Sequence, residues 1–330
     1  MTFDAAKIKE LLTEASAQEL ASRARAVADS VFGKEIYIRG LIEISNICRN
    51  NCLYCGIRAA NASLPRYRLS RDQILECCRK GYALGLRTFV LQGGEDLSWR
   101  GKALESLVRK IKAEFGDCAL TLSLGEMSRE EYAALRNAGA DRYLLRHETF
   151  NPEHYSRLHP ESMSRGRRLE CLKDLKDLGF QTGTGIMVGS PFQTIDNIVE
   201  DLLYIESLQP QMIGIGPFIH HPDTPFADFP DGSVDLTLRL ISILRLISPR
   251  ALIPATTALS TLDPRGRLKG ILAGANVVMP NLTPESHRED YSLYAAKASS
   301  GAESAEGLSL LEADLQSIGY KISRARGDWE

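Results

Sequence analysis

The stretch "SRDQILECCRKGYALGLRTFVLQGG", residues 70–94, contains one complete helix-to-strand unit. Its first part opens with Ser70, places Gln73 three residues later and closes on Gly85, and these are helix-capping signals. Its second part, "TFVLQGG", is a short β-rich run that ends in a glycine pair, which predicts a strand over 88–94. A helix followed by a strand is the repeating unit of parallel α/β folds.

The same alternation continues along the chain. Predicted strands occupy 36–45, 88–94, 119–125, 142–148, 181–189, 212–218, 251–257 and 276–283, and helical patterns such as 70–85, 128–139 and 194–208 lie between them. Eight β/α alternations predict an α/β fold with a single (β/α)8 TIM-type barrel, because eight parallel strands close into a barrel. A doubly wound open sheet is the alternative. We expect an N-terminal helical segment (1–35), the barrel (36–300) and a C-terminal helical extension packed on the barrel (301–330).

Charge and hydropathy argue against a nucleic-acid-binding protein and against a secreted or membrane-spanning one. Lys and Arg number 40 against 42 Asp and Glu, a formal net charge of -2, so no global positive field favours nucleic acid as a partner. The first thirty residues are charged and amphipathic, unlike a secretory signal, and no apolar run is long enough for a bilayer. We therefore expect a cytoplasmic protein without a nucleic-acid or membrane partner.

Three cysteines, Cys48, Cys52 and Cys55, form a C-x3-C-x2-C pattern immediately after the first predicted strand. In a barrel, this is the face where strands end and chemistry takes place. Three thiolates can hold three irons of a [4Fe–4S] cluster and leave the fourth iron open to a ligand that is not protein. A zinc site completed by a histidine, or three structural cysteines, is the alternative.

The fourth predicted strand, "RYLLRHE" (142–148), carries an unusual number of charges. Its period-2 alternation places Arg142, Arg146 and Glu148 on one face. Because a barrel strand is covered on both faces, charges in it need partners. The pattern indicates a polar barrel interior that binds an anionic ligand, with an internal Arg–Glu ion pair as the alternative.

These motifs together resemble a known enzyme family. The cysteine pattern with an aromatic before its last cysteine, followed by "LQGGED" at the second strand, is similar to the radical S-adenosylmethionine (SAM) superfamily. Further stretches, "RYLLRHET", "PFIHHPDTP", "IPATTAL" and "NVVMPNLTP", resemble the HydE family of [FeFe]-hydrogenase maturases within it. The resemblance implies a radical SAM enzyme that reductively cleaves SAM at a [4Fe–4S] cluster to a 5′-deoxyadenosyl radical. It spans roughly residues 40 to 300.

The resemblance also implies roles for particular residues. Cys48, Cys52 and Cys55 would hold the [4Fe–4S] cluster. The residues implied to surround SAM are Tyr54, Gly93, Gly94, Glu95, Ser123, Glu148, Arg168, Met279 and Tyr291. Those implied to bind substrate are Thr121, Arg142, Arg146, Thr256 and Thr257. A second, C-terminal cluster is not expected, since no cysteine follows Cys171.

The resemblance implies three partners: a small anionic substrate, a HydG-type partner maturase, and a reductant protein such as ferredoxin or flavodoxin. In this family the substrate is a cysteine-bound iron carbonyl cyanide complex. Three alternatives stay open on the sequence. They are a methylornithine synthase-like enzyme, a biotin synthase-like enzyme, and a non-catalytic zinc-binding scaffold.

Overall fold

In the computed structural model, which describes residues 3–298 and 300–329, short strands alternate with helices along the chain. The strands are β1 (Glu35–Ile38), β2 (Gly40–Ser45), β3 (Thr88–Gly93), β4 (Ala119–Ser123), β5 (Arg142–Leu144), β6 (Gln181–Thr184), β7 (Met187–Val188), β8 (Met212–Ile213), β9 (Gly216–Pro217), β10 (Val277–Val278) and β11 (Lys321–Ser323). The α-helices are α1 (Ala5–Thr13), α2 (Ala17–Phe32), α3 (Arg71–Ala83), α4 (Gly101–Glu114), α5 (Arg129–Ala138), α6 (Pro152–Leu158), α7 (Arg165–Asp177), α8 (Ile195–Leu208), α9 (Val234–Ile247), α10 (Thr257–Leu262), α11 (Gly266–Leu272), α12 (Glu285–Arg288) and α13 (Leu308–Ser317). Single 3-10 turns occupy Leu97–Trp99, Gly301–Glu303 and Ala305–Gly307.

The capping signals in the sequence mark real helix starts. Ser70 and Gln73 form a reciprocal capping box at the start of α3, and Ser128 and Glu131 form another at the start of α5. Each box satisfies two backbone N–H groups that the first helical turn leaves without an intrahelical acceptor. Helix α5 ends at Gly139, whose left-handed backbone (φ 108°) is a conformation that glycine adopts without strain. The predicted helices are confirmed here.

Eight parallel segments close into a barrel. Six of them form one parallel sheet in the order β2-β3-β4-β5-β6-β8. Isolated parallel bridges continue the ring, from Met212 to Leu252, from Pro254 to Val277, and from Asn281 back to Leu41 of β2. All eight predicted strand regions take part, so the prediction of a TIM-type barrel is confirmed and the doubly wound open sheet is wrong.

Alternate residues of β2 divide between the barrel interior and the surrounding core. Ile42 and Ile44 are fully buried in the main hydrophobic cluster, whereas Leu41 and Glu43 line an internal cavity. This is the two-residue period expected of a strand that is covered on both faces. The interior therefore receives Glu43, the charged residue of this strand.

The last part of the chain returns to the barrel. Strand β11 pairs in parallel with β1, which also pairs with β10. Helix was predicted in this region and is present as α13, whereas β11 was not predicted. The division of the chain at residues 35 and 300 stays a prediction. Among the described residues, no helix combines the length and apolar character that a membrane crossing requires.

Candidate active site

The cysteine loop begins where β2 ends, and hydrogen bonds tie it to the end of β3. Gly94 N donates to Ser45 O at 3.0 Å, and Arg49 N donates to Glu95 O at 3.2 Å. The Cys48 sulfur accepts from Glu95 N, at 3.4 Å. Because these contacts link adjacent strand ends, the folded barrel itself sets the position of the first cysteine.

Burial makes the three thiols poor acids in the absence of a cation. Desolvation raises the pKa of Cys48, and it raises the pKa of Cys55 to about 12, with the neighbouring Cys48 charge adding to the effect. The pKa of Cys52 is also raised, by burial and then by the charge of Cys55. Iron at this position would favour the thiolate forms, since a coordinated thiol is deprotonated. The donor set therefore fits an iron–sulfur cluster.

Two glycines allow the close approach of this loop to the strand ends. A Cβ atom on Gly94 would lie 2.4 Å from the Ile47 carbonyl oxygen and 2.7 Å from Cys48 Cβ. A Cβ atom on Gly125, which has φ of +80°, would lie 2.1 Å from the Glu95 side chain. Only glycine fits these two positions without displacing its neighbours.

Both oxygens of the Glu95 carboxylate accept hydrogen bonds from groups of the protein. Its Oε2 accepts from Arg49 Nε at 2.9 Å, and its Oε1 accepts from Glu126 N at 2.8 Å. A ligand at this strand end would consequently meet the backbone of residues 93–95 rather than that carboxylate.

Glu148 follows β5 in a strained backbone conformation. Its φ is 64°, in the left-handed region that non-glycine residues rarely adopt. Its Oε1 accepts from Arg146 Nε at 3.0 Å, whereas Oε2 is buried without a hydrogen-bond partner among the described residues. A buried carboxylate oxygen without a donor indicates a site for a ligand that donates a hydrogen bond.

Arg168, on α7, supports the same region. Its Nη1 donates to Arg146 O at 2.6 Å and its Nε donates to Glu126 Oε1 at 2.6 Å. This guanidinium therefore links the helix to the loop that follows β5.

A cavity of about 350 Å³ at the carboxyl ends of the strands brings most of the predicted residues together. Predicted residues that line it are Cys48, Tyr54, Cys55, Gly93, Gly94, Glu95, Ser123, Arg146, Glu148, Arg168, Thr256, Thr257, Met279 and Tyr291. Cys52 does not line this cavity; its sulfur is 3.6 Å from Met163 Sδ, and its thiol, whose pKa burial raises, lies near enough to Cys55 and Cys48 for their charges to raise that pKa further. The volume is typical of a small-molecule site.

Two residues predicted to line the cavity lie outside it. Arg142 is fully buried at the opposite end of the barrel, where its guanidinium donates to Gly327 O at 2.8 Å and to Asp328 Oδ1 at 2.7 Å. Thr121 pairs with Arg142 in the sheet, and its hydroxyl is buried without a described partner. Both residues lie too far from the carboxyl ends of their strands to reach the cavity. The end of the chain fills this part of the barrel, where Gly327 and Asp328 accept hydrogen bonds from Arg142.

A buried ion pair in the cavity wall was not predicted from the sequence. Glu43, on β2, is fully buried, and its carboxylate accepts from the Lys297 ammonium and, at 2.9 Å, from Asn281 Nδ2. Lys297 also lies 4.8 Å from the centre of the Tyr291 ring. A signal for Glu43 existed, since a charged residue in a strand covered on both faces needs a partner. No local pattern indicated Lys297, which lies far away in the chain.

Comparisons with known proteins agree with this geometry. The model of the radical SAM superfamily matches residues 42–205. The [FeFe] hydrogenase maturase subunit HydE of Thermotoga maritima is 49% identical over 265 residues, which cover 80% of this chain and 75% of that protein. The chain belongs to the radical SAM superfamily.

Two further relatives within the radical SAM superfamily are similar over most of the chain. The 3-methylornithine synthase of Methanosarcina acetivorans is 30% identical over 88% of this chain and 82% of that protein. The crystal structure of methylornithine synthase (PylB) superposes with a TM-score of 0.86 at 27% identity, covering 98% of this chain and 95% of that chain. The barrel is thus the radical SAM fold.

The chain is a radical SAM enzyme, whose cofactors are a [4Fe–4S] cluster and SAM. The described residues fit both groups. The three thiols would supply soft ligands, Gly94 leaves room beside Cys48, and Glu148, which has one unpartnered oxygen, lines a cavity that the cysteine loop borders.

Proposed function

We propose that this radical SAM enzyme is a HydE-type maturase that acts in the assembly of the di-iron unit of [FeFe]-hydrogenase. The 49% identity to the Thermotoga maritima maturase subunit, over most of both chains, carries the proposal. The cavity supports it, because it is lined by Arg146, about a third of whose side chain is exposed. Only one N–H group of this guanidinium is used in the pair with Glu148, so the others can donate to an anionic substrate such as a cysteine-bound iron carbonyl cyanide complex.

In this proposal the cluster is held by Cys48, Cys52 and Cys55. The residues proposed to surround SAM are Tyr54, Gly93, Gly94, Glu95, Ser123, Glu148, Arg168, Met279 and Tyr291. When bound, the two cofactors supply reductive cleavage of SAM and hydrogen-atom abstraction from the substrate. The protein supplies orientation and exclusion of water, since its polar groups are already fixed around the cavity.

Substrate binding is assigned to the part of the cavity around Arg146 and Thr256. The Thr256 hydroxyl is buried without a partner among the described residues, so it is free to bind a ligand. The Thr257 hydroxyl donates to Glu303 Oε2 at 3.0 Å. Thr257 therefore contributes by positioning α10, the helix that begins at this residue. We propose a cytoplasmic location, in which thiols remain reduced, and a HydG-type maturase as the source of the substrate.

Reconstitution with iron and sulfide under anaerobic conditions tests the radical enzyme. We expect a visible absorption band that dithionite bleaches, and 5′-deoxyadenosine after addition of SAM. Cys52→Ser should lose both, whereas Cys77→Ala, which changes a buried cysteine of α3, should retain both. A colourless zinc protein would contradict the proposal.

In vitro maturation of apo-hydrogenase tests the specific substrate. We expect active hydrogenase when the reconstituted chain receives the cysteine-bound iron carbonyl cyanide complex together with the remaining maturases, and none when the chain is omitted. Wild-type cleavage of SAM without any gain in hydrogenase activity would leave the family intact and reject the maturase function.

A methylornithine synthase-like activity is the second candidate. It is favoured by the TM-score of 0.86, with coverage of 98% and 95% of the two chains. The discriminating assay supplies lysine, which has the same molecular formula as 3-methylornithine, together with SAM and reductant. Chromatographic separation of the two isomers, with detection by mass spectrometry, would show this activity directly.

A further inference from the structure

The turn that follows β5 presents Glu148 to the cavity in a strained backbone conformation. The φ of Glu148 is 64°, and Thr149 N donates to His147 O at 2.8 Å across it. A three-residue turn whose central φ is positive is the rare, strained form of the γ-turn. Such a conformation persists only where the surrounding structure holds it. The groups that hold this turn therefore also fix the direction of the Glu148 carboxylate.

One helix, α8, contacts the chain on both sides of Glu148. After it, Asp201 Oδ1 of α8 accepts from Phe150 N at 2.5 Å. Before it, His147 Nε2 lies 3.4 Å from the same oxygen. The side chains of Asp201 and His147 are both fully buried. A single carboxylate oxygen therefore contacts the chain before and after the strained residue.

His147 is fixed from its other side by β6. Its Nδ1 is 2.8 Å from Thr184 Oγ1, and its backbone N donates to the same hydroxyl oxygen at 3.3 Å. A hydroxyl that accepts from a backbone N–H can donate its own proton to Nδ1, which places the hydrogen of a neutral imidazole on Nε2. That hydrogen faces the Asp201 carboxylate, so the contacts with Thr184 and with Asp201 favour the same tautomer.

Further contacts attach the same turn to α8. The Phe150 ring stacks on the Tyr204 ring, with ring centres 4.7 Å apart. The Tyr204 ring also meets the His147 ring edge-on, with centres 5.0 Å apart. Asn151 Nδ2 donates to Glu200 Oε2 at 3.1 Å. The turn is thus held by several neighbouring side chains of one helix, because Glu200, Asp201 and Tyr204 are close in sequence.

We propose that Asp201 and His147 are positioning residues for SAM, which hold the strained turn that directs Glu148 into the cavity. This role rests on the proposed contact between Glu148 and SAM. Glu148 Oε2 has no hydrogen-bond donor among the described residues, and SAM has donors in its ribose hydroxyls and amino groups. Glu148 lines the cavity, whereas Asp201 and His147 do not. Both therefore act through Glu148 and touch no ligand themselves.

A polar group at position 201 does what apolar packing could not. Burial of a carboxylate carries a desolvation penalty, and Asp201 Oδ2 is buried without a hydrogen-bond partner among the described residues. Asp201→Leu would keep the volume of the side chain but leave Phe150 N without its acceptor. Hydrogen bonds are directional and apolar contacts are not. The carboxylate consequently fixes the direction of the turn, which the turn's own strain would otherwise release.

Substitutions on α8 and β6 test the inference. Asp201→Leu is the test variant, and Asp201→Asn is the conservative variant, whose amide oxygen can still accept from Phe150 N. Leu202→Ala is the matched control, because it takes apolar contacts from the same helix at a fully buried position but removes no hydrogen bond. Thr184→Val, which removes the hydroxyl that holds His147, is a second test variant in case Asp201→Leu does not fold.

The first readout is the affinity for SAM. It is measured by calorimetry on the reconstituted protein with an oxidised cluster, which cannot start the reductive cleavage of SAM. We expect a Kd about tenfold higher than the wild type for Asp201→Leu, and less than about threefold higher for Asp201→Asn and for Leu202→Ala. The iron content of each variant is measured in parallel, so that loss of the cluster is not counted as loss of SAM affinity.

Two further readouts separate positioning from stability. Glu148→Ala combined with Asp201→Leu should bind SAM no more weakly than Glu148→Ala alone, because two residues that act through one contact are not additive. In the metal-free chain, hydrogen exchange followed by mass spectrometry should be faster over residues 147–151 in Asp201→Leu. Leu202→Ala should exchange in this segment as the wild type does, because local opening depends on local contacts.

Several results would overturn the inference. They are wild-type SAM affinity in Asp201→Leu, equal losses of affinity in Asp201→Leu and Leu202→Ala, losses that multiply in the double variant, and unchanged exchange over residues 147–151. If Asp201→Leu does not fold, Thr184→Val takes its place in each comparison.

The same measurements distinguish this role from the proposals on which it rests. Wild-type SAM affinity in Glu148→Ala would reject the contact between Glu148 and SAM, and the role of Asp201 with it. Weakened binding in Glu148→Ala but not in Asp201→Leu would reject the role of Asp201 alone. If all SAM affinities change as expected but the chain matures no hydrogenase, the maturase function is rejected and the positioning role stands.

Discussion

Arg146 and Glu148 form an ion pair on the wall of the cavity, with Arg146 Nε 3.0 Å from Glu148 Oε1. Glu148 is nearly buried, whereas about a third of the Arg146 side chain is exposed to the cavity and solvent. Glu148 Oε2 has no hydrogen-bond donor among the described residues, and Arg146 keeps N–H groups that the ion pair does not use. In the proposed function these two groups bind different ligands, SAM and substrate.

Replacement of Arg146 by alanine should harm substrate conversion more than SAM cleavage. The loss of a charged hydrogen bond to an anionic substrate costs about 1.5–3 kcal/mol, which is about 10- to 150-fold in turnover. Formation of 5′-deoxyadenosine without substrate should continue, because Glu148 remains held by its backbone hydrogen bond to Gly185 O. Chromatographic assay of the converted substrate and of 5′-deoxyadenosine measures the ratio of substrate conversion to SAM cleavage. Arg146→Lys, which keeps the charge, should lose less, and equal loss of both products would contradict the assignment.

Replacement of Gly94 by alanine should prevent the cysteine loop from holding a cluster. The new Cβ would meet the Ile47 carbonyl and Cys48 Cβ at distances that backbone atoms cannot accommodate, so the loop must shift. We expect the iron content after reconstitution to fall to a small fraction of the wild-type value. Gly166→Ala on α7 is the control, because its Cβ would make an ordinary contact of 3.5 Å. Full iron loading of Gly94→Ala would argue against this position for the cluster.

Replacement of Asp328 by asparagine should destabilise the barrel at the end opposite the active site. The substitution leaves the buried Arg142 guanidinium without its carboxylate partner. Since the Asp328 side chain is 34% exposed, we expect a loss of about 1–2 kcal/mol in the free energy of unfolding, less than the cost of breaking a fully buried pair. Urea unfolding followed by circular dichroism measures the loss. Asp314→Asn, at an exposed position of α13, should change stability by less than about 0.5 kcal/mol.

Stability should fall as the solution is acidified below pH 6.5, partly because of His159. Burial lowers the pKa of His159 from 6.5 to about 3, so the unfolded chain binds a proton in this range while the folded chain does not. Proton binding by the unfolded state lowers the free energy of unfolding progressively from pH 6.5 to about 3. The contribution at pH 5 is about 2 kcal/mol.

Urea unfolding of the metal-free chain at pH 7 and pH 5 checks this contribution. We expect His159→Phe to show a smaller difference between the two pH values than the wild type. His220→Gln, which changes an exposed histidine, is the control. If His159→Phe and the wild type show the same difference in the free energy of unfolding between pH 7 and pH 5, His159 is not the source of this pH dependence.

The barrel was predictable because its signals are local. The capping boxes at Ser70 and Ser128 depend on residues a few positions apart, and both were found where the sequence indicates. The predicted strands all contribute to the barrel, although 251–257 does so only through isolated bridges at Leu252 and Pro254. The order of strands then follows from the right-handed connection of parallel β/α units. The cysteine pattern was equally visible, since all three thiols belong to one short loop.

The depth of a side chain along the barrel was not predictable. The two-residue period correctly directs Arg142 and Arg146 into the interior, yet Arg146 lines the cavity and Arg142 binds the chain end at Asp328. The same limit applies to the Glu43–Lys297 pair, whose members are separated by 254 positions. A strand's sequence determines which face is buried, because alternation is a local property of the extended backbone. Which partner neutralises a buried charge is decided by segments that only the closed barrel brings together.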